Sequence, residues 1–449
     1  MSKKYDLIIV GAGPAGIFTA IELSRANLPI DVLLLEKGKE INERTSLISG
    51  WGGAGAFSDG KLTLSPEIGG YLKDFRGPEE AVNLINYVDQ IYLEFGAPAT
   101  VYGTNEDDLN NLSRKAALAS LRFIPSRIRH LGTDNCKNIL RGFRDYLKDK
   151  IEIRTSVQVT KILTEGGKVQ GVETAEGEVI ESDFVVVAPG REGASWWVEE
   201  CRRLNLTMAR NPVDVGVRIE VPAAVLEPLT SVSFEAKLEY FSKSFDDRVR
   251  TFCMCPYGVV AMEASEGIIT VNGHSYANRK TENSNFAILV STRFTDPFKE
   301  PITYGRYIAR LANLLGGTVI IQRLGDLESG RRSTQDRIAH GIVTPTLKEA
   351  TPGDLSFVLP YRYLTDILEM IKAMDFLAPG LASRHTLLYG VEVKFYSSRP
   401  KLNSVLETEI QNLFNIGDGA GVSRGLIQAS ASGVIAAREI ARRVQGKEE

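Results

Sequence analysis

The sequence predicts an α/β fold built in more than one domain, and three observations carry that prediction. The chain opens on an apolar run, "YDLIIV", that passes through a GxGxxG glycine turn into an apolar helical repeat. It closes on another such unit, "LFNIGDGAGVSRGLIQASASGVIAAREIARRV", a strand, a glycine turn and a long helix. Its 449 residues also exceed the length of about 250–300 at which a single hydrophobic core stops growing.

The opening unit is the most specific of these. Tyr5 to Val10 read as a buried strand followed at once by Gly11, Gly13 and Gly16. Gly11 allows the tight turn, Gly13 lets the backbone approach a pyrophosphate, and Gly16 lets helix and strand pack closely. Pro14, with Ala15 behind it, suits the first helical turn, where a missing N–H costs nothing. The unpaired N–H groups and the helix dipole there favour an anion. "IDVLLLEKG" supplies a second strand ending in Glu36, twenty residues after Gly16 and followed by Lys37. A carboxylate at that place accepts hydrogen bonds from both hydroxyls of an adenosine ribose and disfavours a 2'-phosphate. The unit is therefore Rossmann-like and built for a dinucleotide. The triplet suits NAD and FAD alike.

Composition excludes several classes. Hydrophobic content of 43%, charged content of 24% and a net charge of -3 describe an ordinary globular chain without the basic footprint of a nucleic-acid binder. The apolar part of the N-terminal segment is too short and too glycine-rich for a signal peptide, and no run reaches the roughly 18 apolar residues of a membrane span. Cys136, Cys201, Cys253 and Cys255 are too few for a disulfide scaffold, which fits a reducing compartment. The expectation is a cytoplasmic protein with no nucleic-acid and no membrane partner, its oligomeric state open.

Two further segments bear on the ligand. "DFVVVAPGREG", Asp183 to Gly193, is another buried strand ending in a Pro-Gly turn, and the C-terminal unit turns around Asp418. In this order the segments resemble the flavoproteins of the glutathione-reductase and hydroxybenzoate-hydroxylase type. That resemblance implies that Asp418 hydrogen-bonds a ribityl hydroxyl and that the helix start near Gly421 to Gly425 faces the flavin N1/O2 edge, where reduction leaves negative charge.

A narrower likeness explains "SGWGGAGAFSDGKL", Ser49 to Leu62, which crowds Gly50, Gly52, Gly53 and Gly55 into six residues. Glycine gives up the most backbone freedom on folding, so something must sit against such a backbone. The string resembles the flavin-contacting segment of the prokaryotic FAD-dependent dehydrogenases. The likeness extends to "PVDVGVRIEVP", "FCMCPYGVV", "TVNGHSYAN", "LLYGVEVKFYSSRP" and "GDGAGVSRGLIQASASG", and so to essentially the whole chain. Two positions depart from that group: its usual arginine in the GVE segment is Lys394, and its usual Glu-Gly is Asp418-Gly419.

What the resemblance implies is a noncovalent FAD held by Gly11, Gly13, Pro14, Ala15, Gly16, Glu36, Lys37, Gly52, Gly53, Ala54, Ser58, Asp59, Gly60, Lys61, Val157, Ala188, Pro189, Gly190, Gly417, Asp418, Gly425 and Leu426. Glycines from Gly52 to Gly60 would bring backbone amides to the pyrophosphate and the isoalloxazine ring. The FAD-binding domain is then discontinuous: residues 1–70, 130–205 and 385–449, with a helical excursion over 71–129. A mixed α+β substrate or cap domain over 206–384 is inserted, expected to lie over the flavin face. Within the middle of the chain the reading places a capped helix starting at Thr133 or Asp134 and a hairpin in "EGGKVQGVETAEGEVIES".

Catalytic residues are harder to read, because a flavin brings its own hydride chemistry. "SGRRSTQDR" offers Arg331, Arg332 and Arg337 as a guanidinium fork for a carboxylate or phosphate, or else a solvated loop with ion pairs. His274 and Tyr276 in "NGHSYAN" are candidate proton donors or acceptors, or an ordinary strand end. Glu392 and Lys394 share one side of a strand and read as flavin neighbours or as a structural salt bridge. Cys253 and Cys255 read as buried thiols in preference to an electron relay, since a bridge across one residue is strained. The histidines His130, His274, His340 and His385 are scattered, which leaves no metal site.

The function expected is an FAD-dependent oxidoreductase, a dehydrogenase or reductase moving hydride between flavin N5 and a small organic substrate. Residues 71–384 contain no second strand–GxGxxG–helix unit. Transient NAD(P)H and an electron-donor protein both stand as sources of electrons. A flavin-dependent monooxygenase, a thiazole-synthase-like NAD-using enzyme and a noncatalytic flavin-binding partner are the alternatives.

Overall fold

A computed structural model describes residues 3–46, 48–57, 60–209, 213–265, 267–276, 279–292, 301–395 and 399–446. The chain divides into two compact units, one of residues 1–100, 129–211 and 397–449, the other of residues 101–128 and 212–396.

In the first unit the strands Glu152–Thr155, Val32–Glu36, Tyr5–Val10 and Val179–Val187 lie side by side and parallel. Leu413–Asn415 joins the last of them, also parallel, with Phe414 opposite Val186. Val159–Glu165 and Lys168–Thr174 extend the sheet as an antiparallel meander. Its two-residue turn, Gly166 and Gly167, has φ of 58° and 77°, the left-handed pair that a tight hairpin requires.

Both faces of the parallel strands are covered, which is why they read as unbroken apolar runs. Leu7, Ile9, Leu34, Phe184, Val186 and Phe414 pack into one core with the helices Pro14–Ala26 and Leu426–Gln445. Ile8, Val10, Leu33, Leu35, Val185 and Val187 pack into another with Trp197 and Cys201 of the helix Ala194–Arg203. Each such side chain contributes about 1.5–3 kcal/mol when fully buried. The two covering helices cross closely at Gly433, where a Cβ would stand 2.2 Å from the Ala15 carbonyl oxygen. Thr19 Oγ1 seals the crossing, donating to Ala15 O at 3.0 Å and to Gly433 O at 3.3 Å.

The division into units differs from the sequence boundaries for identifiable reasons. Residues 71–100 of the expected excursion belong to the first unit, because Leu84, Ile85, Val88, Ile91 and Tyr92 of the helix Pro78–Glu94 enter the core beside the C-terminal helix. Residues 101–128 belong to the second unit: Leu121–Ile124 pairs antiparallel with Lys237–Phe241. Leu387–Phe395, assigned from sequence to the flavin domain, instead lies between Val213–Pro222 and Ile320–Arg323 in the second unit. The helix Thr133–Leu147 starts where expected, but Gly132 is its N-cap and no side chain caps it.

The second unit is an eight-stranded sheet in the order Thr351–Pro352, Ile320–Arg323, Leu387–Phe395, Val213–Pro222, Asn283–Thr292, Arg248–Cys255, Lys237–Phe241 and Leu121–Ile124. The hairpin Val259–Ser265 and Ile268–His274 accompanies it. Helix Tyr361–Asp375 lays Ile367, Met370, Ile371 and Met374 on the core and buries Asp366 completely. Burial raises the Asp366 carboxyl to about 6 from 3.8, and Asp247 pushes the same way. A folded-state acid raised above its unfolded value binds the extra proton in the fold, so stability is lost as pH rises from about 4 to about 6. Urea unfolding midpoints at about pH 4 and about pH 7 should differ less in Asp366→Asn than in the wild-type chain, and an unchanged difference would disprove the assignment.

Candidate cofactor site

The site predicted from sequence collects at one edge of the first unit. Tyr5–Val10, Val32–Glu36, Val179–Val187 and Leu413–Asn415 run parallel, so their C-terminal ends share that edge, where doubly wound sheets bind ligands. The turn after the first strand is fixed by two bonds, Gly11 N to Leu35 O at 2.7 Å and Ala188 N to Val10 O at 2.8 Å. Gly11 has φ 105° and a Cβ there would stand 2.2 Å from Ala188 O, while one at Gly16 would stand 2.0 Å from Gly11 O. Gly13 is different, since a Cβ would meet nothing within 4 Å. It is the N-cap of the helix that Pro14 begins, and no side chain caps that helix. Uncapped N–H groups facing open space are what a pyrophosphate needs.

Glu36 is 6% exposed and organises three pieces of backbone. Its Oε2 accepts from Ala12 N at 2.8 Å, and its Oε1 accepts from Gly38 N at 2.8 Å and Gly50 N at 2.9 Å. The carboxylate assigned from sequence to ribose hydroxyls thus also ties the first glycine turn to the glycine-rich loop. Val157 N donates to Glu36 O at 3.0 Å, which puts Val157 beside that strand end, and Lys37 pairs with Glu192 at 2.8 Å. Glu36→Ala would leave three N–H groups without a charged acceptor, an expected loss of about 3 kcal/mol. Thermal unfolding of the FAD-free protein checks this, and an unchanged midpoint would leave Glu36 with a ligand role only.

The glycine-rich loop also has a packing role within the protein. Protein atoms fill the places its side chains would take: a Cβ would stand 2.4 Å from Leu140 Cδ1 at Gly52, 2.7 Å from Leu426 Cδ2 at Gly55 and 2.5 Å from Cys136 Sγ at Gly60. Gly52 N donates to Ala12 O and Gly53 N to Gly50 O, both at 2.8 Å, so these two amides serve the protein. At Gly53 the nearest neighbour is Gly13 Cα, 3.1 Å from the Cβ position, which places loop and turn together. Ala54 and Lys61 flank this packing, in the 3-10 turn Gly53–Phe57 and the strand Lys61–Thr63. Ser58 and Asp59 lie outside the described residues.

Arg44 was missed from sequence. Its Nη1 donates to Trp51 O and Gly53 O, both at 2.8 Å, and its Nη2 to Ser46 O at 3.1 Å. Burial lowers its guanidinium to about 10, against the pull of Glu36 and Glu192. The available signal was a cation just ahead of a segment rich in exposed carbonyls. Trp51 completes the seat, fully buried with Nε1 donating to Leu140 O at 2.9 Å.

At the other end of the edge, Ile416 N donates to Val187 O at 3.0 Å, and Gly419 packs where a Cβ would stand 2.1 Å from Gly190 O, beside Pro189. Asp418 Oδ1 accepts from Ser423 Oγ at 2.6 Å. Gly425 is the N-cap of the C-terminal helix that Leu426 begins, again with no side-chain cap. A Cβ at Gly417 would stand 3.0 Å from Ala15 Cβ, and one at Gly55 would stand 2.7 Å from Leu426 Cδ2 and 3.5 Å from Pro14 Cγ, so both helix starts pack on the same loop residue. Gln428, also missed from sequence, is fully buried; it accepts from Leu72 N at 3.2 Å and donates to Ile68 O at 2.8 Å, fixing the 65–72 loop against that helix.

The five catalytic candidates all fall in the second unit. Arg331 Nε donates to buried Asp326 at 2.9 Å, alongside Arg323 and Ser333, so it is a strut of that turn. Arg332 is exposed and its carbonyl accepts from Arg337 Nη1 at 2.9 Å. His274 ends a strand opposite Val259, and Tyr276 is exposed. Lys394 lies 3.1 Å from Glu392, which forks onto Arg218 at 2.8 and 3.0 Å; all three are buried or nearly so. Cys255 is buried as expected. Cys253, in contrast, is half-buried at φ 42° in a bulge, its sulfur 3.9 Å from that of Cys255.

The chain is similar to several known proteins. Residues 212–395 match the family model "FAD-dependent protein, C-terminal domain-like", and residues 346–448 match "Glucose inhibited division protein A". An uncharacterized protein of Clostridium beijerinckii is 29% identical over 475 aligned residues, covering 96% of this chain and 80% of that protein. Among solved structures, a 3-ketosteroid-delta4-(5alpha)-dehydrogenase from Rhodococcus jostii RHA1 gives 14% identity and a TM-score of 0.45, covering 98% of this chain and 97% of that one. An L-proline dehydrogenase from P. horikoshii gives 13%, 0.43, 99% and 95%, and a glycine oxidase from Bacillus cereus gives 14%, 0.38, 99% and 96%, in the same order. Scores of this size carry no reaction across. The two family matches support an FAD-dependent flavoprotein, although neither spans half of the chain, and the first unit is an α/β sheet that opens on a dinucleotide-type glycine turn. Among the described residues no helix is long and apolar enough to cross a membrane.

Proposed function

We propose that the protein holds FAD noncovalently at this strand edge and transfers hydride between the flavin and a small organic substrate in the cytoplasm. One observation carries the reading: two helix N-termini without side-chain caps, at Gly13 and Gly425, follow the C-terminal ends of parallel strands and both pack on Gly55, and the space at Gly13 alone in its turn is open. When bound, FAD supplies the hydride chemistry. The chain's own residues do the rest. The N–H groups behind Gly13 bind the pyrophosphate charge, while Glu36 keeps one lone pair of Oε2 for a ribose hydroxyl beyond its bond to Ala12. Asp418, oriented by Ser423, is placed to accept from a ribityl hydroxyl, and the Gly425 helix start favours the negative charge that reduction leaves. NAD(P)H bound transiently, or a donor protein, would supply electrons in the reductive direction.

The test is the visible spectrum of the purified protein, followed by denaturation and identification of what is released. A yellow protein that releases FAD is expected. A colourless protein that takes up no FAD, and releases NAD instead, would overturn the reading in favour of a thiazole-synthase-like site.

A further inference from the structure

Beside the Gly425 helix start, two arginines share one aromatic ring. The Arg424 guanidinium carbon lies 4.8 Å from the Tyr71 ring centroid and that of Arg399 lies 5.0 Å from it, with Phe75 5.4 Å from Arg399. Arg424 Nη2 also donates to the Tyr71 hydroxyl. The backbone locks the group to the helix start: Arg424 N donates to Gly69 O at 2.8 Å and Tyr71 N to Val422 O at 3.0 Å. All three side chains are half-buried, so they are held in place yet reachable from solvent.

One feature of this group is costly as it stands. Arg399 Nη1 is buried without a hydrogen-bond partner among the described residues, an arrangement that native proteins rarely keep without an ion or water to satisfy it. An anion held by Arg399, with the Arg424 guanidinium on the same ring, would relieve it. The planar fork of arginine matches a carboxylate, which takes two parallel N–H bonds from it. We propose that Arg399 and Arg424, held on Tyr71, bind the carboxylate of a small organic acid, which makes carboxylic acids the substrate class of the flavin site. This rests on the FAD reading above, because the group's value for catalysis comes from its place at the Gly425 helix start.

The test is titration of the full chain, loaded with FAD, with acetate and with benzoate. Separate arms use benzamide and inorganic sulfate, and both the flavin absorption band and calorimetric heat are read. Saturable binding of at least one carboxylate is expected, with benzamide silent. Arg399→Met and Arg424→Met should each weaken that binding about tenfold or more. Tyr71→Phe, which keeps the ring and loses the hydroxyl that holds Arg424, should weaken it several-fold; it keeps the test decisive if an arginine variant does not fold. Absence of binding by either carboxylate, or equal affinity in folded variants, would overturn the proposal. Sulfate binding as tightly as the better carboxylate would overturn the carboxylate assignment. If the chain retains no FAD, the reading beneath fails separately, and calorimetry on the FAD-free chain still decides for or against the anion site.

Discussion

Gly13→Val is expected to fold and to lose its flavin. Three glycines define the first turn, but their surroundings separate two jobs. Side chains at Gly11 and Gly16 would drive into Ala188 O and Gly11 O at 2.2 and 2.0 Å, and Gly11 also sits at φ 105°. Gly13 has φ -79° and ψ -178°, extended backbone open to any residue, and nothing within 4 Å of its Cβ position. A valine there therefore costs the fold little and fills the space that the pyrophosphate must enter. FAD affinity should fall by at least about a hundredfold, or about 2.7 kcal/mol, while the unfolding midpoint of the FAD-free protein stays at the wild-type value. Gly11→Ala, the contrasting variant, should lower that midpoint. Flavin titration of the FAD-free proteins checks both, and wild-type affinity in Gly13→Val would remove the turn from the cofactor site.

The contrast also shows what the sequence can and cannot express. The strands of the first unit were legible because burial on both faces writes itself as continuous apolar runs, and the dinucleotide turn because its glycine spacing reflects local geometry. The crowd at Gly50 to Gly55 was legible as an anomaly, but its packing within the protein was not. Which atoms would meet a side chain at Gly52 or Gly55 depends on Leu140 and Leu426, far along the chain. Domain boundaries failed for a similar reason: Leu387–Phe395 has no local mark that it pairs with Val213–Pro222. Arginines mislead most. Arg331 and Arg332 look like a fork because they are adjacent, yet Asp326 takes the first. Arg399 and Arg424 meet only on Tyr71, more than 300 residues earlier.

Glu392→Gln is expected to be among the most destabilising single changes in the second unit, at about 3–5 kcal/mol. Arg218 and Glu392 are both fully buried, and the guanidinium forks onto the carboxylate at 2.8 and 3.0 Å. Burial works against the Arg218 charge, and the carboxylate outweighs it, holding the guanidinium above its ordinary range. Both Nη1 donors are used as well, reaching Asn285 Oδ1 at 2.7 Å and Cys253 O at 3.1 Å, which ties three neighbouring strands at the bulge. Removing the negative partner leaves a cation in a place that water does not reach, and Lys394 loses the nearer of two carboxylates, Glu392 at 3.1 Å, keeping Glu263 at 3.8 Å. Replacing Arg218 and Glu392 together with apolar residues of similar volume should cost less than either single change, because desolvation then falls on no ion. Urea unfolding of the full chain, followed by the midpoint of the second unit's transition, measures all three. A Glu392→Gln protein that kept wild-type stability but lost flavin turnover would reverse the assignment, making Glu392 a residue of the reaction and leaving Arg218 to be explained by something other than this pair.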